Sequence, residues 1–380
     1  MIRLTIPSID DQDLRAVSDV LRSGFLVQGA QVAAFEERLK PETGAGHVVA
    51  VSNGTAALHL ALLALGVGPG DIVLVTAYSW LSTANVVELC GAQPVFVDIQ
   101  PDTFNMDPEA LAAQLRPLMA NPETRRKVKA ILPIDAFGLM ADYPAILRIA
   151  EEYNLPVIED SACALGARLN GRPAGSWTTM GTFSLHPRKA ITTGEGGAIS
   201  TSDGQLAWRL RALRNHGLDP NSPTPDFVMP GYNYRITEFQ AALGLSQMGK
   251  LDRIIACRRQ LAARYTGLLA GSGIQAPYVP AGQQPVYQSY VCLLPEAAAA
   301  GRAGLIAQLK QGGIETTIGT WHMPMTNFFR TRYGYQSGDF PVTDKVFSRA
   351  LSLPLYEGLE EQQQQQVVSA LTSALAAVGR

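Results

Sequence analysis

An α/β architecture with a second, smaller α/β unit is predicted by three features of the 380-residue chain. Short apolar runs alternate with helix-length amphipathic segments, the runs are apolar on both faces, and the pattern changes character beyond about Lys250. Strands buried on both sides belong to a mostly parallel sheet with helices over each face. Taken in order, amphipathic spacing predicts helices around Asp11–Leu21 and Val32–Leu39. The run His47–Val51 then leads into a helix over Ala56–Leu65, Ile72–Val75 into one over Ala84–Cys90, and Pro94–Val97 into one over Pro108–Leu115. Val128–Leu132 precedes a helix over Tyr143–Tyr153, Pro156–Ile158 follows, and further strand signals sit at Gly181–Ser184 and Ala198–Ser200. The expected division is 1–250 and 251–380, with the first ten or so residues packed on the smaller unit. That unit reads as a long helix (Leu251–Leu269), a Gly/Pro/Gln-rich stretch (Gly271–Pro285), a strand (Val286–Leu294) and a helix (Ala303–Gln311). A terminal helix closes it, with the run Glu360–Gln366 as its polar first turns.

Composition bounds the function. A 47% hydrophobic content over this length supports a sizeable core. The 31 basic and 33 acidic side chains form no long like-charge run, which argues against a nucleic-acid footprint or a polybasic membrane anchor. Met1–Ser8 lacks a charged-then-apolar leader pattern and no apolar run is long enough to cross a bilayer, so a cytoplasmic location and a small-molecule partner are expected. The four cysteines (Cys90, Cys163, Cys257, Cys292) form no Cys-x-x-Cys pair and no two of the five histidines have ligand spacing, so no disulfide framework and no metal are expected.

Three segments carry chemistry. Lys189 stands on an irregular, glycine-rich stretch between the strand signals at Gly181–Ser184 and Ala198–Ser200, a sheltered place for a reactive amine. Val51–Leu58 passes from a strand through Ser52, Asn53, Gly54 and Thr55 into a helix, leaving backbone N–H groups and a positive dipole end that suit a phosphate; ordinary helix capping is the competing reading. Glu159 and Asp160 end a strand on the side where open α/β sheets bind ligands, and either acid is a candidate for function or for capping. An amine for a Schiff base, an acid for a pyridine nitrogen and donors for a phosphate together point to pyridoxal 5′-phosphate.

The motifs Ser52–Ala57, Glu159–Asp160, Ser184–Gly197, Arg214–Gly217 and Gly231–Arg235 resemble those of the DegT/StrS-type sugar aminotransferases, a branch of the fold-type I, aspartate aminotransferase-like pyridoxal phosphate enzymes. The resemblance runs from Arg22–Gly29 to Ser352–Leu355. It implies a mostly parallel seven-stranded-type sheet between helices, with a smaller carboxyl-terminal α/β domain. It also implies Lys189 as Schiff-base lysine, Asp160 as partner of the pyridine nitrogen, and Gly54, Thr55 and Ser184 as the phosphate cradle. Asn233 would complete that cradle from the second subunit of a homodimer, and Trp80 would stack on the pyridine ring, with core packing as the alternative for a lone tryptophan. Cys163 stands near the cofactor where many relatives carry Gln or His, so that side chain's hydrogen bond is expected to be weakened or lost, and the residue reads as a small packing side chain in preference to a reactive thiol. His186 reads as structural or pocket-lining, Trp321 and His322 as bordering the acceptor pocket with sugar contact and simple packing both open, and Arg188, Arg214 and Arg235 as possible anion contacts.

The activity implied is ping-pong transamination through a Lys189 internal aldimine and pyridoxamine phosphate. The donor would be glutamate or glutamine and the acceptor a nucleotide-linked keto-deoxysugar, in aminosugar biosynthesis for a surface polysaccharide or an antibiotic. A cyclitol ketone as acceptor, a dehydration or aromatization on the same cofactor, and a pyridoxal phosphate-binding regulator without turnover are the alternatives. Lys189 itself separates the chain from relatives that carry histidine there and dehydrate the sugar.

Overall fold

A computed structural model describes residues 1–378. Seven strands form one continuous sheet: β1 (His47–Val51), β2 (Ile72–Thr76), β3 (Gln93–Val97), β4 (Val128–Leu132), β5 (Ile158–Asp160), β6 (Met180–Ser184) and β7 (Gly197–Thr201). Their spatial order is β1-β7-β6-β5-β4-β2-β3, with β4 and β5 joined by the parallel bridges Ile131 to Val157 and Ile134 to Asp160. Only β7 runs against its neighbours, antiparallel to both β1 and β6.

The sheet is covered on both faces, which is why its strands read as unbroken apolar runs. Val49, Val51, Val73 and Val75 point into one core with α3 (Gly54–Ala64), α4 (Ser82–Leu89) and α7 (Gly204–Arg214). Val48, Ala50, Ile72 and Leu74 point the other way, toward α2 (Ala30–Thr43), α5 (Pro108–Ala120), α6 (Tyr143–Tyr153) and α8 (Glu238–Met248). Helix α3 is apolar all round because it lies inside the protein: Ala56 to Leu62 are all buried. The N-terminal helix α1 (Asp11–Ser23) begins in a capping box made by Asp10 and Asp13, and Lys250 closes on both carboxylates.

A third core lies beyond the sheet. Strands β8 (Tyr290–Leu293) and β9 (Ala350–Leu353) pair antiparallel, flanked by bridges from Gln275 and Thr317, under α10 (Arg302–Gln311) and α11 (Glu361–Val378). Helix α9 (Leu251–Leu268) belongs to two cores: Ile254 and Ile255 pack with the sheet, Leu261 and Tyr265 with β8 and β9. Ile2 joins this third core and bridges Ile314, while the Leu4 carbonyl accepts from Leu355 N at 3.0 Å. Strand β8 is shorter than the apolar run suggests. Val286 and Gln288 instead donate their N–H groups to Gly138 and Phe137 of the large sheet's loops, and Tyr287 takes φ 48° between them.

Candidate active site

At the carboxyl ends of β4, β5 and β6 lies a cavity of about 810 Å³, lined by Gly54, Thr55, Trp80, Asp160, Cys163, Ser184, His186, Arg188 and Lys189, and on its far side by Leu4, Thr5, Thr320 and Leu355. This is the position that parallel α/β sheets reserve for ligands.

Strand geometry separates the two acids. Successive side chains of β5 point to opposite faces, so Asp160 faces the cavity while Glu159 is sealed beneath the sheet. Asp160 Oδ2 accepts from Thr83 Oγ1 at 2.7 Å, and Thr83 in turn pairs with Ser79 Oγ at 2.9 Å. Burial pushes the Asp160 carboxyl above its usual range, while the Thr83 hydroxyl and the Lys189 charge pull it back. Glu159 instead accepts from the backbone N–H groups of Gly175, Trp177 and Thr178 at 2.7, 2.8 and 3.0 Å. Burial pushes both it and the neighbouring Asp135 upward. Glu159 therefore anchors the loop ahead of β6, and Glu159→Ala is expected to cost about 2 kcal/mol of stability in urea denaturation, because the buried Gly175 N–H and the part-buried N–H groups of Trp177 and Thr178 lose their acceptor.

Lys189 sits on the turn between β6 and β7, which closes when Lys189 N donates to His186 O at 2.8 Å. From α9, the buried Arg258 donates to the carbonyls of Lys189, Tyr287 and Gln288 at 3.3, 3.1 and 2.9 Å, and Gln288 Nε2 holds the Arg188 carbonyl at 3.1 Å. The lysine's backbone is thus fixed from outside its own turn. Its amine reaches Cys163 Sγ at 3.1 Å.

At the start of α3, Asn53 Oδ1 accepts from Ala56 N at 2.8 Å, so Asn53 is the cap. Among the described residues the N–H groups of Gly54 and Thr55 have no intrachain acceptor. A Cβ on Gly54 would stand 2.8 Å from Ser184 Cβ, so glycine brings bare backbone against that serine. The result is a small cradle of backbone N–H groups, a hydroxyl and a helix dipole, sized for a phosphate. Cradle, carboxylate and amine open on one cavity, so the residues present fit pyridoxal phosphate.

The remaining candidates divide. Trp80 is 62% exposed on the cavity, which removes the core-packing alternative. His186 lines the cavity half-buried, its Nδ1 accepting from Arg188 N at 3.2 Å, and burial holds its pKa below the usual value. Of the three arginines only Arg188 lines the cavity. Arg214 is buried against Glu36 at 2.5 Å, and Arg235 donates to Asn215 Oδ1 at 2.5 Å. Asn233 is exposed and outside this subunit's cavity. Trp321 is 40% exposed and pairs with Ser79, one strand out from the cavity. The expectation for His322 is corrected: it is 3% exposed, its Nε2 meets Asp344 Oδ1 at 3.0 Å and its ring packs edge-on to Phe340 and Phe347, so it touches no substrate space.

Thr83, Tyr234, Arg258 and the Leu4–Thr5 segment escaped the sequence reading. Thr83 lies three residues after Trp80 on the first turn of α4, and that helix start was the one available signal.

The family model of the DegT/DnrJ/EryC1/StrS aminotransferases matches residues 7–372. The chain belongs to that aminotransferase family. A UDP-4-amino-4-deoxy-L-arabinose–oxoglutarate aminotransferase of Shewanella sediminis is 36% identical over 96% of each chain. A protein of Geobacillus stearothermophilus named a pleiotropic regulatory protein is 38% identical over 93% of this chain and 92% of its own. Among solved structures, a Streptococcus pneumoniae chain assigned as a sugar aminotransferase, in its PLP form, superposes with a TM-score of 0.92 at 28% identity, covering 99% of each chain. The seven-stranded sheet is thus the DegT-family fold, and this family member is a transaminase.

Proposed function

We propose that this aminotransferase carries pyridoxal phosphate on Lys189 and moves the amino group of glutamate, or glutamine, to a keto-deoxysugar linked to a nucleotide. The observation that carries this reading is the convergence of the Lys189 amine, the Asp160 carboxylate and the Gly54–Ser184 cradle on one cavity. When bound, pyridoxal phosphate supplies an aldehyde carbon for the amino group and a ring that takes up the electron pair of the broken C–H bond. Lys189 would hold the aldehyde end of that group, and its amine, when free, is placed to carry a proton to and from the donor's α-carbon. Asp160 keeps the ring nitrogen protonated, Thr83 orients that carboxylate, and Trp80 covers the ring face.

The acceptor lies toward Leu4, Thr5, Thr317 and Thr320, a largely neutral wall of hydroxyls and apolar groups that suits a sugar ring. Trp321 pairs with the cavity-lining Ser79 and stands just outside that wall. The Shewanella relative's name supports both the nucleotide sugar and the oxoglutarate product. The working unit is a cytoplasmic homodimer. Phe25, Val27 and Phe227 are 80%, 67% and 63% exposed in the single chain, and a second subunit covers them and supplies Asn233 to the phosphate.

The test is the visible spectrum of the purified, cofactor-loaded protein before and after glutamate. Conversion of the yellow lysine-bound band to the amine form, with 2-oxoglutarate released, is expected. A band unchanged by both glutamate and glutamine overturns the reading and favours the regulatory role named for the Geobacillus relative.

A further inference from the structure

We propose that Cys163 and Lys189 form an oxidation site: a peroxide converts the Cys163 thiol to a sulfenic acid, and the Lys189 amine condenses with it to close a reversible sulfur–nitrogen bridge. The site does not depend on which donor or acceptor the enzyme uses.

Three observations carry it. Cys163 Sγ and Lys189 Nζ are 3.1 Å apart, and among the described residues this is the one side-chain hydrogen bond recorded for that amine. Both residues line the cavity, so a small oxidant reaches them by the substrate's route. Both backbones are clamped. Ala164 N bonds Ser161 O at 2.9 Å across the turn that carries Cys163, and Lys189 is held through His186 and Arg258. Two groups fixed at contact distance react as neighbours in one molecule, with a large gain over free solution.

The other cysteines do not compete. Cys90 and Cys292 are buried, Cys257 Sγ faces the Glu357 carbonyl, and all four thiols are free. A sulfenic acid beside a thiol condenses to a disulfide; here the neighbour is an amine.

The chemistry balances in two steps. Sulfur attacks the peroxide O–O bond and loses two electrons; one oxygen stays on sulfur and the other leaves as water. The neutral Lys189 amine then donates its lone pair to that sulfur. An S–N bond forms, the S–O bond breaks, and the departing hydroxide takes the amine proton as water. Thiol, amine and hydrogen peroxide thus give the bridge and two waters. A thiol reductant attacks sulfur, releases the amine and frees Cys163 by exchange. While the bridge stands, the Lys189 nitrogen keeps only one hydrogen and is no longer the primary amine that a Schiff base needs. A cofactor bonded to Lys189 blocks the bridge in turn, so sensitivity is confined to states with a free amine.

The experiment uses the full chain stripped of cofactor, treated with hydrogen peroxide and digested without reductant. The expected product is a linked pair of peptides joining Cys163 to Lys189, lighter than their sum by the mass of molecular hydrogen and abolished by dithiothreitol. Its yield should rise with pH, because the amine must be neutral. Pyridoxal phosphate added first should suppress it. In Lys189→Ala the reaction should stop at a Cys163 sulfenic acid that dimedone captures, and Cys163→Ser should give no bridge. Wild-type protein in which dimedone labels Cys163 while Lys189 stays unlinked at every pH overturns the proposal, as does a disulfide from Cys163 to another thiol. Because the decisive reading is made on wild-type protein by mass, it stands or falls separately from the glutamate titration.

Discussion

Lys189→Ala is expected to lower amino transfer by a factor on the order of 10⁴ or more, since in the proposed reading one side chain both holds the cofactor and moves the proton. The effect is chemical and not structural. Lys189 contributes little to any core; its turn is held by backbone bonds from His186 and Arg258 that an alanine keeps. The variant should therefore fold, lose the visible lysine-bound band and still retain pyridoxal phosphate through the cradle. Added methylamine, which replaces the missing amine at the cofactor, should recover a fraction of the rate. A Lys189→Ala protein that transaminates at the wild-type rate would remove the lysine from the mechanism.

Asp160→Asn is expected to reduce kcat by about 10²–10⁴ while leaving KM for the donor within a few-fold, the signature of an electrostatic contact needed mainly in the transition state. The amide keeps the size of the carboxylate and an oxygen to accept from Thr83, but lacks the charge that retains a proton on the ring nitrogen. The folded protein should be no less stable, because burial already disfavours the Asp160 charge. The same reasoning fixes a pH direction. Burial raises the Asp160 pKa, so as pH falls through that raised value the carboxyl takes up its own proton, and kcat should drop on the acid side. An acid limb that persists unchanged in Asp160→Asn assigns the titration to another group.

The readable parts of this chain are those in which local chemistry and final environment agree. Strands β1 and β4 have the bounds their apolar runs suggest because every residue is covered on both faces or nearly so. Helices α7 and α8 gave no comparable signal. Their apolar stripes are interrupted by buried polar groups with distant partners, Arg214 on Glu36 and Glu238 on the backbone N–H groups of Gly29, Gln31 and Val32. The same division runs through the site. Lysine, aspartate and glycine are dictated by what a pyridoxal phosphate site needs, so Lys189, Asp160 and Gly54 stand out by type and setting. Thr83, Arg258 and Tyr234 are ordinary helix or loop residues until folding carries them to Asp160, Lys189 and His59. For His322 the sequence left sugar contact and packing both open, because its partner Asp344, 22 positions on, was invisible along the chain.

Leu4 and Thr5 stand in the cavity wall because the segment before them is held at Ile2 by Gly313 and Glu315, and Leu4 itself by Glu315 and Leu355. During synthesis, therefore, Leu4 and Thr5 emerge long before the residues that hold them. The sheet through β7 assembles from residues 47–201, with the phosphate cradle and Lys189 already in it, while the segment meant to wall the sugar side waits for some 350 further residues. On the proposed reading, the anchoring amine and the phosphate site of a nascent chain would come together before the pocket that selects a sugar is complete.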